Sequence, residues 1–329
     1  MKIVSILVIL TALKGLFSHK DNPCLNADAI LDRLQGDTNQ IVCFETIDSY
    51  DFDFQNKQNI VIHGKLNFPK EKKDFYNAVV LSHGSGGVRR YHEKYVKFLN
   101  QQGYVVFQLD HYMGRNIKYD KTFSKVSGIT FMNDAYKALA LIKTNKKINK
   151  VAYIGWSQGG VGPILSHFTN ITNFIDGGKN IFDASVAIYP YCGFTFEKDA
   201  PINEPLLMIT GASDDLTPEK ACINIYKKFN DNIEHISMEG ARHGFDNPFL
   251  FFGFTFDKLP SLHVINDDCT LTINQNGKIV TLSGQVIDGP EKSAETLNNC
   301  SSKGVKVKYN AEATERTRVE IINFLKKVL

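Results

Sequence analysis

Along most of the chain, short apolar runs alternate with longer stretches in which apolar residues recur every three or four positions. The runs near 42–50, 59–66, 77–83, 104–110, 150–154, 183–189, 205–210 and 232–238 read as strands. Several of them, such as Val151-Ala152-Tyr153-Ile154 and Leu206-Leu207-Met208-Ile209, show no polar alternation. A strand that is apolar on both faces needs cover on both faces, which is the condition of a parallel sheet with helices on each side. The intervening stretches at 91–102, 131–144, 157–168, 218–230 and 312–328 have helical character; in the last, Val319, Ile322, Leu325 and Leu329 share one face. This alternation predicts one α/β domain over 24–329, built on a mostly parallel, doubly wound sheet flanked by helices.

One segment breaks the rhythm. From about 247 to 310 the chain opens with aromatics, Phe249 to Phe256, and continues with Thr270 to Val280, where Asn276-Gly277 is a hairpin-turn signal. An insertion at this point either overhangs the mouth of a site or caps the sheet edge.

The strand–helix junction at 151–167 carries the first chemical signal. Gly155-Trp156-Ser157-Gln158-Gly159-Gly160 follows an apolar run and precedes a helix-compatible one. A serine on so tight a turn is pushed outward as a nucleophile, and glycines are required where side chains would strike neighbouring backbone. A helix N-cap serine would not need glycines on both sides. The helix that follows offers backbone N–H groups, that of Gln158 first, to a developing oxyanion. Upstream, the strand Asn77-Ala78-Val79-Val80-Leu81-Ser82 runs into His83-Gly84-Ser85-Gly86-Gly87. Small residues there let a backbone amide, that of Ser85, approach a substrate as the second donor. A phosphate cradle is the other use of such a loop, but the chain has no Gly-x-x-x-x-Gly-Lys-Ser/Thr run.

Two further elements follow in the order Ser, acid, His. Gly211-Ala212-Ser213-Asp214-Asp215-Leu216-Thr217-Pro218 closes one strand with two candidate carboxylates, and Glu239-Gly240-Ala241-Arg242-His243-Gly244-Phe245-Asp246 closes the next. Both loops fall past strand ends, where open α/β sheets hold their ligands.

These pieces together resemble the dienelactone hydrolase family of the α/β-hydrolase superfamily. The resemblance is carried by His83-Gly84-x-Gly86-Gly87, Gly155-Trp156-Ser157-Gln158-Gly159-Gly160, Gly211-x-x-Asp214-x-x-x-Pro218 and Ala241-x-His243-Gly244-Phe245. Gly103-Tyr104-Val105-Val106 with Asp110, and Asp134-Ala135 with Ala138-Leu139, extend it. The name-giving members carry cysteine as nucleophile; Ser157 resembles the serine esterase-like branch. The resemblance implies a Ser157–His243–Asp214 triad and an acyl-enzyme, with ester cleavage as the activity. Asp214 stands where the family places its acid, and Asp215 is the alternative. A peptidase or amidase of the same fold is a second reading, and a catalytically silent binding module a third.

Composition narrows the remaining classes. With 43% hydrophobic residues in 329, the chain can bury a large α/β core. Its formal charge of +3 is spread among alternating Lys, Asp and Glu, which gives no basic stripe for nucleic acid. His92-Glu93 opens a zincin-like pattern, but position 96 is Val, and no Cys-x-x-Cys pair exists, so neither metal nor other cofactor is expected. The remaining histidines show no partner spacing, and His83 reads as a loop-shaping residue.

Lys2 precedes the apolar run Ile3–Leu13, which Lys14 ends. Its eleven residues are too few for a span of about 20, so residues 1–18 read as a signal peptide, a buried first strand being the alternative. The mature chain is thus expected to be secreted or periplasmic, without a membrane span. Six cysteines then remain, an even number that an oxidising compartment would pair. Fifteen pairings are possible, and pairing near neighbours joins Cys24 to Cys43, Cys192 to Cys222 and Cys269 to Cys300.

Overall fold

The computed structural model describes residues 22–24, 30–55, 57–120, 122–198, 204–229, 231–250 and 262–329. The expected signal peptide at 1–18 and most of the aromatic run after Phe249 lie outside the described residues.

The eight expected strands all form. They are β1 (Gln40–Ile47), β2 (Asn59–Asn67), β3 (Tyr76–Ser82), β4 (Val105–Asp110), β5 (Ile148–Trp156), β6 (Ala184–Ile188), then, past a short β7 (Phe194–Phe196) outside this sheet, β8 (Leu206–Gly211) and β9 (Ile233–Met238). They make one sheet in the order β1-β2-β4-β3-β5-β6-β8-β9. β1 pairs antiparallel with β2, and β2 with β4; every later pairing is parallel. The crossovers are α1 (Arg90–Gln101), α2 (Gly128–Ile142), α3 (Val161–Ser166), α4 (Thr169–Asp176) and α5 (Glu219–Lys228); α6 (Pro290–Cys300) lies in the late segment and α7 (Ala311–Val328) closes the chain.

The two-sided apolar strands are the cause of this layering. Successive residues of a strand face opposite ways. Ala78 and Val80 of β3 therefore join one core with Phe107, Tyr153, Met132, Leu139, Ile164 and Phe168, while Val79 and Leu81 join another with Ile154, Val186, Tyr95, Leu99, Ile321 and Leu325. Helices α2 to α4 cover the first face; α1 and α7 cover the second. The chain folds as an α/β-hydrolase-type doubly wound sheet.

Three boundaries differ from the reading of the sequence. β1 starts at Gln40 and ends at Ile47, because Ser49 and Asp51 turn the chain through side-chain bonds (Ser49 Oγ to Asp51 Oδ1, 3.0 Å). α2 starts at Gly128, three residues early, because the Ser127 hydroxyl caps it by accepting from Thr130 N–H at 2.9 Å. The stretch 157–168 is not one helix: a 3-10 turn, Ser157–Gly160, leads into α3, and Phe168 is extended (φ −104°, ψ 120°) before α4 begins. Tertiary contacts break it there, since the His167 ring bonds the Glu204 carbonyl at 2.6 Å and Phe168 is wholly buried.

The late segment is organised by pairing rather than by a core of its own. β11 (Leu271–Ile273) and β12 (Ile279–Thr281) form the hairpin, with Gly277 at φ +74° in its turn. β11 also pairs in parallel with β7, giving a small sheet β12-β11-β7. β10 (His263–Ile265) pairs antiparallel with β13 (Ser301–Lys303) on either side of α6. Disulfides join Cys24 to Cys43, Cys192 to Cys222, and Cys269 to Cys300. The last ties the turn before β11 to the end of α6, and bonds of this kind stabilise by about 2–4 kcal/mol each.

One buried acid makes the fold pH-sensitive. Glu204, 5% exposed just before β8, accepts from the Ser185 hydroxyl (3.2 Å) on Oε1, with Ser166 also nearby, and Oε2 has no partner among the described residues. Burial raises its pKa from 4.5 to about 8. Between those two values the unfolded chain has lost this proton and the folded chain keeps it, so stability falls as pH rises through the window and levels off above it. Glu204→Gln is therefore expected to match wild type near pH 4.5 and to exceed it at pH 8 by roughly 3–5 kcal/mol in urea denaturation. An advantage of equal size at both pH values would rule out this origin.

Candidate active site

β5 delivers Ser157 to the carboxyl end of the sheet in a left-handed conformation, φ 54°, which a serine adopts only under constraint. The glycines around it are steric necessities. A Cβ on Gly155 would lie 2.0 Å from the Gly159 carbonyl oxygen, and one on Gly159 would lie 2.2 Å from the His83 carbonyl oxygen. Gly84, on the loop after β3, is pressed so close that its Cβ would meet the Ser157 Cβ at 3.0 Å. Ser85 follows, half-buried, its carbonyl accepting from Asp120 N–H at 2.8 Å. That bond holds the loop against Ser157.

Beneath the loop lies a buried network that the sequence did not announce. The backbone N–H of His111 donates to His83 Nε2 at 3.1 Å, so the ring proton of His83 is on Nδ1, 2.6 Å from the Gly84 carbonyl. Burial and the neighbouring His111 hold the His83 pKa well below the usual imidazole value, keeping the ring neutral. His111 in turn bonds Asp134 through Nδ1 (2.7 Å) and Ser82 Oγ through Nε2 (2.9 Å). Arg115 donates to both Asp134 oxygens at 2.9 Å. The available signal was Asp134 itself, an acid on a helix that is apolar around it at Phe131, Met132, Ala135, Ala138 and Leu139.

The two strands that follow β6 in the sheet bring Asp214 and His243. Asp214 Oδ1 accepts from the N–H groups of Leu216 and Thr217, each at 2.9 Å, which leaves Oδ2 for His243 Nδ1–H at 2.8 Å. Thr217 Oγ1 lies 3.0 Å from the same Oδ2 and 3.1 Å from His243 Nδ1. On the other side of the ring, the Ser157 hydroxyl donates to His243 Nε2 at 2.9 Å. The Asp214 side chain is fully buried, whereas His243 keeps 12% exposure. Asp215 points elsewhere: it pairs with Arg242 at 2.9 Å and its side chain is 41% exposed.

A further buried acid is linked to His243 through Tyr189. Asp246 accepts from Trp156 Nε1 (2.8 Å) and from the Tyr189 hydroxyl (2.7 Å), and burial raises its pKa. The Tyr189 ring meets the His243 ring edge-on at 4.8 Å, and Tyr189 is itself left-handed at φ 37°. Trp156 is thus tied into the floor beside Ser157. Tyr189 and Asp246 escaped the sequence reading because nothing local distinguishes them; Thr217 had the Asx-turn spacing Asp214-x-x-Thr217 as a signal.

An apolar cavity of about 160 Å³ opens beside Ser157 and Gln158. The Gln158 side chain is held in its wall, accepting from the Tyr112 hydroxyl (3.1 Å) and donating to the Val126 carbonyl (2.6 Å). Among the described residues, no helix is long and apolar enough to cross a membrane. The three disulfides fit an oxidising, extracellular or periplasmic environment.

Comparison with known proteins agrees with this architecture. A search of curated proteins returned no match. Among solved structures, the chain is similar to the dienelactone hydrolase-like promiscuous phosphotriesterase P91 from metagenomic libraries, at 15% identity and TM-score 0.53, over 88% of this chain and 98% of that one. It is also similar to Est1E from Butyrivibrio proteoclasticus (15% identity, TM-score 0.43, 60% of this chain and 90% of that one). A third is the α/β serine hydrolase XC6422 from Xanthomonas campestris (13% identity, TM-score 0.42, 60% and 86%). At that identity the likeness to P91 is one of fold. Residues 62–249, more than half of the 329, match the profile of the dienelactone hydrolase family, and with its sheet and crossovers arranged as above the chain belongs to that family of α/β-fold hydrolases.

Proposed function

We propose that the protein is a serine hydrolase of carboxylic esters of small molecules. The observation that carries this is the unbroken series Ser157 Oγ, His243 Nε2, His243 Nδ1, Asp214 Oδ2, with bonds of 2.9 and 2.8 Å. In this reading His243 takes the Ser157 proton as Oγ attacks the acyl carbon, and Asp214 holds the imidazole with its other proton on Nδ1. The carbonyl oxygen, now an anion, is met by the backbone N–H groups of Gln158 and Ser85. His243 then protonates the leaving alkoxide as the ester C–O bond breaks. Water, deprotonated by the same nitrogen, attacks the acyl-enzyme and returns Ser157 and the free acid.

A fluorophosphonate probe tests the reading. Wild-type protein is expected to be labelled on Ser157 and to lose ester hydrolysis in proportion to labelling; fully labelled protein that still hydrolyses esters would overturn it.

The same reading includes export, with residues 1–18 as a cleaved signal. Protein recovered from its native host is expected to begin after roughly residue 15 to 20 and to resist alkylation until reduced. An intact mass that includes residue 1, with six thiols freely alkylated, would place the protein in a reducing compartment instead.

A further inference from the structure

We infer that the site selects esters whose acyl group is uncharged, apolar and about the size of a hexanoyl chain or a single aromatic ring, and that the segment 265–300 sets this selectivity. The inference rests on the serine-hydrolase reading and adds a substrate class to it.

Nearly half of the cavity's lining comes from that segment. Ile265 of β10, Leu271 of β11, Ile279 of β12, Ile287 and Leu297 of α6 face it, and the Cys269–Cys300 disulfide closes the wall they form. The opposite wall presents Tyr50, Phe123 and Val161. Among the described residues, none that lines the cavity carries a formal charge. Even the tyrosines offer mainly their rings, since the Tyr50 hydroxyl bonds the Ser124 carbonyl and the Tyr191 hydroxyl bonds the Cys269 carbonyl. A carboxylate or ammonium taken into this space would lose its water with no partner of opposite charge, at a cost that excludes it.

Size follows from the volume. The cavity holds about 160 Å³, and an apolar protein cavity of roughly 150 Å³ accepts benzene. The acyl side of the ester is assigned to it by the placement of the catalytic groups. Ser157 and Gln158, which would meet the carbonyl carbon and its oxygen, line the cavity, whereas His243, which must reach the leaving oxygen, does not.

The experiment compares kcat/KM for the p-nitrophenyl esters of acetate, hexanoate and the adipate half-ester, which share one leaving group. Each methylene removed from water contributes about fourfold, so four of them set a ceiling of roughly 200-fold, and hexanoate is expected to exceed acetate by at least about tenfold. The adipate half-ester, the same length with a terminal carboxylate, is expected to fall at least about tenfold below hexanoate. Leu297→Trp, which narrows the cavity, should lower the hexanoate-to-acetate ratio several-fold, and Leu297→Lys should raise the adipate half-ester relative to hexanoate. Both readouts are ratios within one preparation, so a smaller folded fraction does not alter them. Acetate cleaved as well as hexanoate, a half-ester as good as hexanoate, or a ratio untouched by Leu297→Trp would each overturn the selectivity while leaving the serine-hydrolase reading standing. Failure to cleave any ester, together with no fluorophosphonate labelling, would instead sink the reading on which it rests.

Discussion

Ser157→Ala is expected to lower ester turnover by about 10⁴-fold or more and to leave the fold as it is. The size follows from what the hydroxyl does in the proposed mechanism: without Oγ no acyl-enzyme forms, and His243 has no proton to accept. What remains is the contribution of the oxyanion donors and of binding. The fold should persist because the left-handed backbone at φ 54° places the same demands on Ala as on Ser, and the one side-chain bond removed is that to His243. Ester kinetics, fluorophosphonate labelling and a thermal melt on the same preparation check this. Wild-type turnover in a correctly folded Ser157→Ala protein would mean that another group is the nucleophile.

The two adjacent carboxylates should separate just as clearly. Asp214→Asn is expected to cost about 10⁴-fold in kcat, since an amide at that position can donate to His243 Nδ1 and so stabilise the tautomer whose proton sits on Nε2, where it blocks Ser157. Asp215→Asn removes a half-exposed ion pair with Arg242, an interaction worth about 1 kcal/mol or less, and should change kcat by no more than a few-fold. Arg242 precedes His243, so a small effect through the loop is compatible with this ranking. The reverse ranking, measured on folded variants, would transfer the orienting role to Asp215.

What was legible in the sequence has a common physical character. The elbow could be read because its requirements are local: the carbonyl oxygen that a Cβ on Gly155 would strike belongs to Gly159, four residues away. The sheet could be read because strands covered on both faces must be apolar at every position, and β3, β5, β6 and β8 are buried almost throughout. The order Ser157, Asp214, His243 could be read because each follows its own strand. Helix ends were less legible. Ser127 caps α2 through a side-chain bond that composition does not reveal, and Phe168 leaves the helical path because a core position claims it.

The late segment marks the limit of such reading. Its hairpin is encoded in Asn276-Gly277, a property of the turn itself. The pairing of β11 with Phe194–Phe196 is not, because a three-residue strand has too little pattern to announce a partner more than seventy residues away. An overhang of the site by this insertion could be expected, but not the apolar character of the cavity, since its walls come from residues 50, 123, 161 and 265–300 at once.

The sequence by itself determined that the chain is a doubly wound α/β fold of the dienelactone hydrolase family, with a strained serine at a strand end, because steric and burial demands between near neighbours restrict residue types directly. Only the tertiary structure brought Asp214 to His243 and turned Asp215 toward Arg242, joined Asp246 to Trp156 and to the Tyr189 whose ring meets His243, linked His111 to His83, and gathered an apolar cavity beside Ser157. Those outcomes depend on which distant segments pack together, a collective balance of many contacts that no single residue type records.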